Sequence, residues 1–281
     1  MELQDLYKNY KKIIGGGGFG IVKTGEEPPY EGIAVKFLYK DKCPNAKLEY
    51  LINKAIYSSF HALLKCQHFP NFSVVKPINF VEDGPVSNGF SCAVIMERLR
   101  FPINPEYAIH IAVNDIVPPS KINTLIYADK VPRGYFYDFD HIEEIIKKHP
   151  FGSIKRMEDV IYRIGLLDGI CIFGARILPR DAEYVLSIYN EVLFVTMIDF
   201  GMFERIDVTP ANYEKIAYNI SEAQDDNLYY YPATEGIPLE RRNACIDAFM
   251  KGMSDAYNCL DISNDASLYN ELMNIYSKYY V

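Results

Sequence analysis

Gly15-Gly16-Gly17-Gly18-Phe19-Gly20-Ile21-Val22 and, shortly after it, Ile33-Ala34-Val35-Lys36-Phe37-Leu38-Tyr39 decide how this chain is read. Apolar residues lead into and out of the glycines, so Ile13 to Lys23 is predicted to be a hairpin with a glycine turn. Glycine backbone can come close to phosphate oxygens, with N–H groups aimed at them and no Cβ in the way. Phe19 can fold under the tip of that turn, and Val22 can lie on a flat base. The glycines alone would equally describe a flexible turn. Lys36 changes the balance: it is the one charge in an apolar strand, 21 residues after Gly15, and an ammonium there needs a partner.

Working outward, Leu48, Leu51, Ile52, Ala55, Ile56 and Phe60 recur at helical spacing, with Asn45 as a candidate cap. Glu49, 13 residues after Lys36, lies in the first turns of that helix and can hold the amine charged. Glu31 and Asp41 compete for that role but lie in turns. Strands are predicted at Ser73–Phe80 and Phe90–Met96, helices at 139–148 and 157–173. A hairpin is expected from 184–188 and 192–198, and a helical tail over 239–257 and 266–279. Residues 101–137 carry many prolines and resist assignment. Asp199-Phe200-Gly201 ends the strand Val195–Ile198, and an acid there can bind Mg²⁺, which takes oxygen ligands.

Taken together, residues 15–99 resemble the small lobe of the protein kinases: the G-x-G-x-F-G-x-V loop, Ala34-Val35-Lys36 and Glu49. His68-Phe69-Pro70-Asn71-Phe72 is similar to the entry to the family's fourth strand. Val94-Ile95-Met96-Glu97-Arg98-Leu99 is similar to its fifth strand and hinge. The resemblance implies an α+β, two-lobed protein-kinase-like fold, with a β-rich small lobe carrying one helix (1–99) and a reduced, mainly helical large lobe (100–281). It implies ATP with Mg²⁺ or Mn²⁺: the nucleotide beneath Gly15–Gly20, Val22 and Ala34, Met96 as gatekeeper, and backbone of Glu97 and Leu99 on the adenine edge.

Upstream of Asp199 the chain departs from the family's H-R-D-x-x-x-x-N. In one alignment Pro179-Arg180-Asp181 replaces His-Arg-Asp, so that Asp181 orients the acceptor hydroxyl and Leu186 stands where the asparagine would be. In the other, Glu183-Tyr184-Val185-Leu186 replaces E-N-I-L, and Asp181 or Glu183 serves the metal. The resemblance fades beyond residue 201. It implies a divergent Ser/Thr protein kinase with a protein substrate. Other outcomes on the same fold are a small-molecule kinase, an AMP transferase, or a pseudokinase acting as a nucleotide-tuned interaction module.

The rest narrows the field. The net charge of −8 argues against phosphate-backbone contact, so nucleic acid is not expected as a partner. No run approaches the ~18 apolar residues of a membrane span, and no leader is visible, so a cytoplasmic protein (or one acting in a host cell's cytosol) is expected. The five histidines form no zinc-hydrolase motif. The six cysteines show no C-x-x-C pair, and most are expected as core thiols rather than a disulfide framework. Arg241 and Arg242 are expected on a solvated helix face.

Overall fold

The computed structural model describes residues 2–17, 20–67, 69–82, 89–102, 108–113, 134–136, 139–180, 182–201, 203–217, 239–260, 270, 271 and 274. The mixed α+β architecture rests on two five-stranded sheets and a two-stranded one. The first sheet has the order β1-β2-β3-β6-β5, built from β1 (Lys12–Gly17), β2 (Gly20–Thr24), β3 (Ile33–Tyr39), β5 (Pro77–Glu82) and β6 (Phe90–Glu97). All its neighbours are antiparallel. The second has the order β4-β11-β10-β7-β8, from β4 (Phe72–Val74), β7 (Ala108–Val113), β8 (Gly134–Phe136), β10 (Glu183–Tyr189) and β11 (Val192–Ile198). β9 (Ile177–Leu178) pairs with β12 (Glu204–Arg205).

The first sheet is covered on both faces, because alternate residues of a strand point to opposite sides. Val35 and Phe37 of β3 and Ala93 and Ile95 of β6 pack with Leu3, Leu6 and Tyr10 from α1 (Leu3–Asn9) and the residue that follows it. Lys23, buried on β2, lies with its ammonium 3.5 Å from the centre of the Tyr7 ring. Leu38, Cys92 and Val94, on the opposite face, meet Cys43 and Ala46 of α2 (Cys43–Cys66). Farther along α2, Ile52, Ile56, Phe60 and Leu63 enter the main core instead. One helix therefore ties the first sheet to the core formed by β4, β11, α3 (Phe139–Lys148), α4 (Met157–Gly169) and α5 (Leu239–Leu260).

Several expectations need correction. α2 begins at Cys43 with a proline in its first turn, where the missing N–H costs nothing, so Asn45 is inside the helix and not its cap. The predicted strand Ser73–Phe80 is two strands in different sheets. The chain leaves β4 at Val75-Lys76, and β5 starts at Pro77. The apolar lead-in to the glycines holds a helix, α1. The long helix expected over 157–173 is α4 followed by a π-turn, Ile170–Ala175, which stops at Arg176 in a left-handed conformation (φ 58°). Of the tail segment 266–279, only 270, 271 and 274 are among the described residues.

The largest correction concerns the cysteines. Cys43 bonds Cys92, with Cα atoms 5.8 Å apart, and Cys66 bonds Cys259, with Cα atoms 5.7 Å apart. The pairs are 49 and 193 residues apart in sequence, so no local spacing announces them. Cys171 and Cys245 are buried thiols, as expected of the set as a whole.

Candidate functional site

β3 places Lys36 directly opposite Val22 of β2 and Val94 of β6, and Ala34 opposite Met96. Directly paired residues share a face, so Val22, Ala34, Lys36 and Met96 all lie on the α2 side of the sheet. β1 ends at Gly17 and β2 begins at Gly20, at one end of this face. Gly20 approaches β3 so closely that a Cβ would stand 1.9 Å from the Phe37 carbonyl oxygen. A residue larger than glycine cannot occupy it without moving backbone. Gly15 lies across from Val22, and Gly16 and Gly17 complete β1. Gly18 and Phe19 lie outside the described residues.

The Lys36 ammonium donates to both oxygens of Glu49, at 2.9 and 3.1 Å, and stands 3.5 Å from Asp199 Oδ1. The three come from a strand, a helix and the end of β11, separated by up to 163 positions in sequence. Glu49 is nearly enclosed (8% exposed) and Lys36 largely so (17%), whereas Asp199 keeps 39% of its side chain open. Burial by itself would lower the pKa of Lys36, but Glu49 and then Asp199 outweigh it and hold the ammonium well above its ordinary value. Burial pushes the Glu49 carboxyl up, against the pull of Lys36.

Asp199 adopts a left-handed backbone (φ 51°), which aspartate tolerates better than most residues, and accepts from the Gly201 N–H at 3.3 Å. This turn sends neighbouring side chains in opposite directions. Phe200 is buried in the core against Phe203, while Asp199 faces Lys36. A Cβ on Gly201 would lie 3.4 Å from Asp199 Oδ1 and 4.0 Å from Glu49 Oε2.

The remaining candidates are placed less centrally. Asp181 lies outside the described residues. Glu183 opens β10 opposite Ile198, the residue before Asp199, so it stands beside the strand end that carries the acid. Leu186 is fully buried opposite Val195 and offers no oxygen at the asparagine place. Met96 is half-buried and packs between the α2 face and the main core; Leu99 packs on that core. The Glu97 N–H is already bonded to the Lys76 carbonyl at 3.0 Å, so only its carbonyl side remains for an adenine edge.

No cluster of three or more His, Cys, Asp or Glu suited to a metal exists among the described residues. Mg²⁺ commonly needs only one or two carboxylates, with phosphates and water completing its shell. The open Asp199 carboxylate, beside a retained ammonium, fits that donor set. Two features escaped the sequence reading. Asn53, one helical turn beyond Glu49, is buried with an Oδ1 that has no protein partner. Asp168 of α4 is fully buried, accepts a bond from the Tyr184 hydroxyl, and is pushed by burial to a pKa of about 7.

No helix among the described residues is long and apolar enough to cross a membrane. No protein-family model matches the chain, and no curated protein matches it. Among solved structures, WaaP in complex with acyl carrier protein is similar at 9% identity and a TM-score of 0.39, covering 99% of this chain and 92% of that one. The Mycobacterium tuberculosis PknI kinase domain is similar at 10% identity and a TM-score of 0.37, covering 94% and 96%. Likenesses this distant carry no argument, and the reading of the site rests on its own geometry.

Proposed function

We propose that the chain is an ATP-dependent phosphotransferase of the protein-kinase-like class, with residues 1–99 as its nucleotide lobe and 100–281 as its acceptor lobe. The observation that carries this is the meeting of Lys36 with Glu49 and Asp199 on the sheet face that begins at the glycine turn. Lys36, fixed by Glu49, would bind the α- and β-phosphates of ATP. The N–H groups of Gly15–Gly20 would cradle the triphosphate, and Val22, Ala34 and Met96 would flank the base. Asp199, with Glu183 as a second candidate, would hold Mg²⁺ or Mn²⁺, which when bound neutralises charge on the β- and γ-phosphates. Asp181 would accept the acceptor's proton as its oxygen bonds the γ-phosphorus and ADP leaves. Positioning and charge neutralisation then supply most of the rate.

A serine or threonine of a protein is the first acceptor we propose, and a small-molecule hydroxyl the second. The buried Leu186 favours one rival, a nucleotide-tuned pseudokinase, because it leaves no second metal ligand at that position.

Incubation with γ-labelled and α-labelled ATP and Mg²⁺ or Mn²⁺, beside Lys36→Ala, Asp181→Ala and Asp199→Ala, separates the readings. Label from the γ position only, lost in all three variants, supports phosphotransfer. Label from the α position means AMP transfer. Nucleotide binding with no label transferred means a pseudokinase.

A further inference from the structure

Residues 147–156, which join the end of α3 to the start of α4, hold Lys147, Lys148, Lys155 and Arg156 and no carboxylate, in a chain whose net charge is −8. All four cations are exposed. Lys155 donates to the Pro150 carbonyl, beside Phe151, and Arg156 stands 3.7 Å from Glu158. Phe151 is 62% exposed. The loop that presents it is pinned from beneath. Asn71, in a left-handed conformation (φ 64°), accepts from the Ser153 N–H at 3.1 Å and from its hydroxyl at 2.5 Å. That hydroxyl accepts from the buried Arg163 guanidinium, which also donates to the Pro70 carbonyl, and Ile154 is buried. Gly152 (φ 91°) lies against Val192, where a Cβ would stand 2.6 Å from Cγ1. Val192 pairs directly with Tyr189, which is 68% exposed. The two most exposed large apolar side chains among the described residues therefore share one end of the second sheet with the basic loop.

We propose that this end of the second sheet docks on an anionic phospholipid bilayer, with Phe151 and Tyr189 entering the headgroup layer and the four cations meeting lipid phosphates. Charge complementarity carries the choice of occupant: each Lys or Arg near an anionic leaflet tightens binding roughly fivefold. Apolar side chains set among cations are the usual composition of an interfacial contact. Aromatics exposed by about two-thirds project rather than line a groove, which suits a surface that yields around them better than a rigid acidic helix. The negative charge of the whole chain does not cancel this, because salt screens charges more than about 8–10 Å away and leaves the local cations to act. Glu191, exposed on the turn after Tyr189, opposes the contact and limits how deeply Tyr189 enters. Val192 and Asp199 bound opposite ends of β11, roughly 20 Å apart at the usual strand rise. The docking end is thus remote from Lys36 and Asp199, and the inference is independent of the phosphotransferase reading.

The chain has no tryptophan, so Phe151→Trp installs a single fluorescent reporter in the full chain. It is titrated with vesicles of phosphatidylcholine containing about 30% phosphatidylserine, and with phosphatidylcholine alone, at about 0.1 M salt. The anionic vesicles should shift its emission to the blue and bromine-labelled acyl chains should quench it, at a lipid concentration at least tenfold lower than phosphatidylcholine alone requires. Ile78→Trp, on the edge strand β5 of the first sheet, should show neither effect. Sedimentation of the native chain with the same vesicles needs no substitution. It should weaken at least tenfold in Lys147→Gln/Lys148→Gln/Lys155→Gln and at least threefold in Phe151→Ser, with urea unfolding showing that both variants are folded. A native chain that ignores the anionic vesicles, or sediments equally with both kinds, overturns the proposal. So does binding that the triple variant retains in full, or that proceeds without quenching. Equal binding to poly-glutamate would assign the surface to an acidic protein and overturn it as well.

Discussion

Lys36 holds two carboxylates at once, and the rest of the site is arranged around that fact. Removing one member of a buried ion pair strands the other, typically at about 3–5 kcal/mol. Lys36→Met should therefore lower stability as well as phosphotransfer, with stability read by urea unfolding. Glu49→Gln keeps the shape and should cost activity more than stability, by about 10²–10³-fold if Lys36 must be held in place for catalysis. Asp168 gives a pH signature of its own. Its folded-state pKa, about 7, stands above the unfolded value of 3.8. Between those values the folded chain keeps a proton that the unfolded chain has released, so stability falls as pH rises from about 4 to 7 and levels off above. The full effect is at most roughly 4 kcal/mol. Asp168→Asn, followed by denaturant titration across that range, should flatten this slope and raise stability relative to the native chain above pH 7.

Among the elements, the crossing of α4 and α5 shows which of two opposing effects wins. Alanine in place of glycine in a helix normally gains about 1 kcal/mol. At Gly252, however, a Cβ would stand 2.1 Å from the Tyr162 carbonyl oxygen, and at Gly165 it would stand 2.2 Å from that of Phe249. These obstacles are backbone, which cannot rotate aside, so Gly252→Ala should destabilise by about 1–3 kcal/mol in chemical unfolding. The elements also show what a sequence discloses. β3 runs over Ile33–Tyr39, where an apolar run with a single charge predicts a strand, and β10 and β11 form the predicted hairpin, with Tyr189 of the turn expected at 189–191 drawn into β10. The split between β4 and β5 falls at Lys76-Pro77, a break signal that the reading of Ser73–Phe80 as one strand passed over. α1 was hidden because its seven residues give too few turns for a periodic signal.

At the scale of the whole molecule, the convergence of Lys36, Glu49 and Asp199 was legible because a buried charge demands a partner, and the motifs limit where it can come from. The disulfides were not, since their pairing depends on where the two ends of α2 land. Closing a loop of 193 residues is worth roughly 5 kcal/mol in the chain-entropy account. Complete reduction should therefore bring a large fall in melting temperature, read in thermal scans with and without dithiothreitol. The proposed function makes one demand, that a strand amine and a strand-end acid serve a single triphosphate. Equilibrium binding of a fluorescent ATP analogue, with and without Mg²⁺, tests this most directly. Mg²⁺ should tighten binding at least tenfold for the native chain and leave Asp199→Asn unaffected, while Lys36→Met weakens binding in both conditions. Binding that is absent, or that ignores Mg²⁺ and both substitutions, would contradict the site.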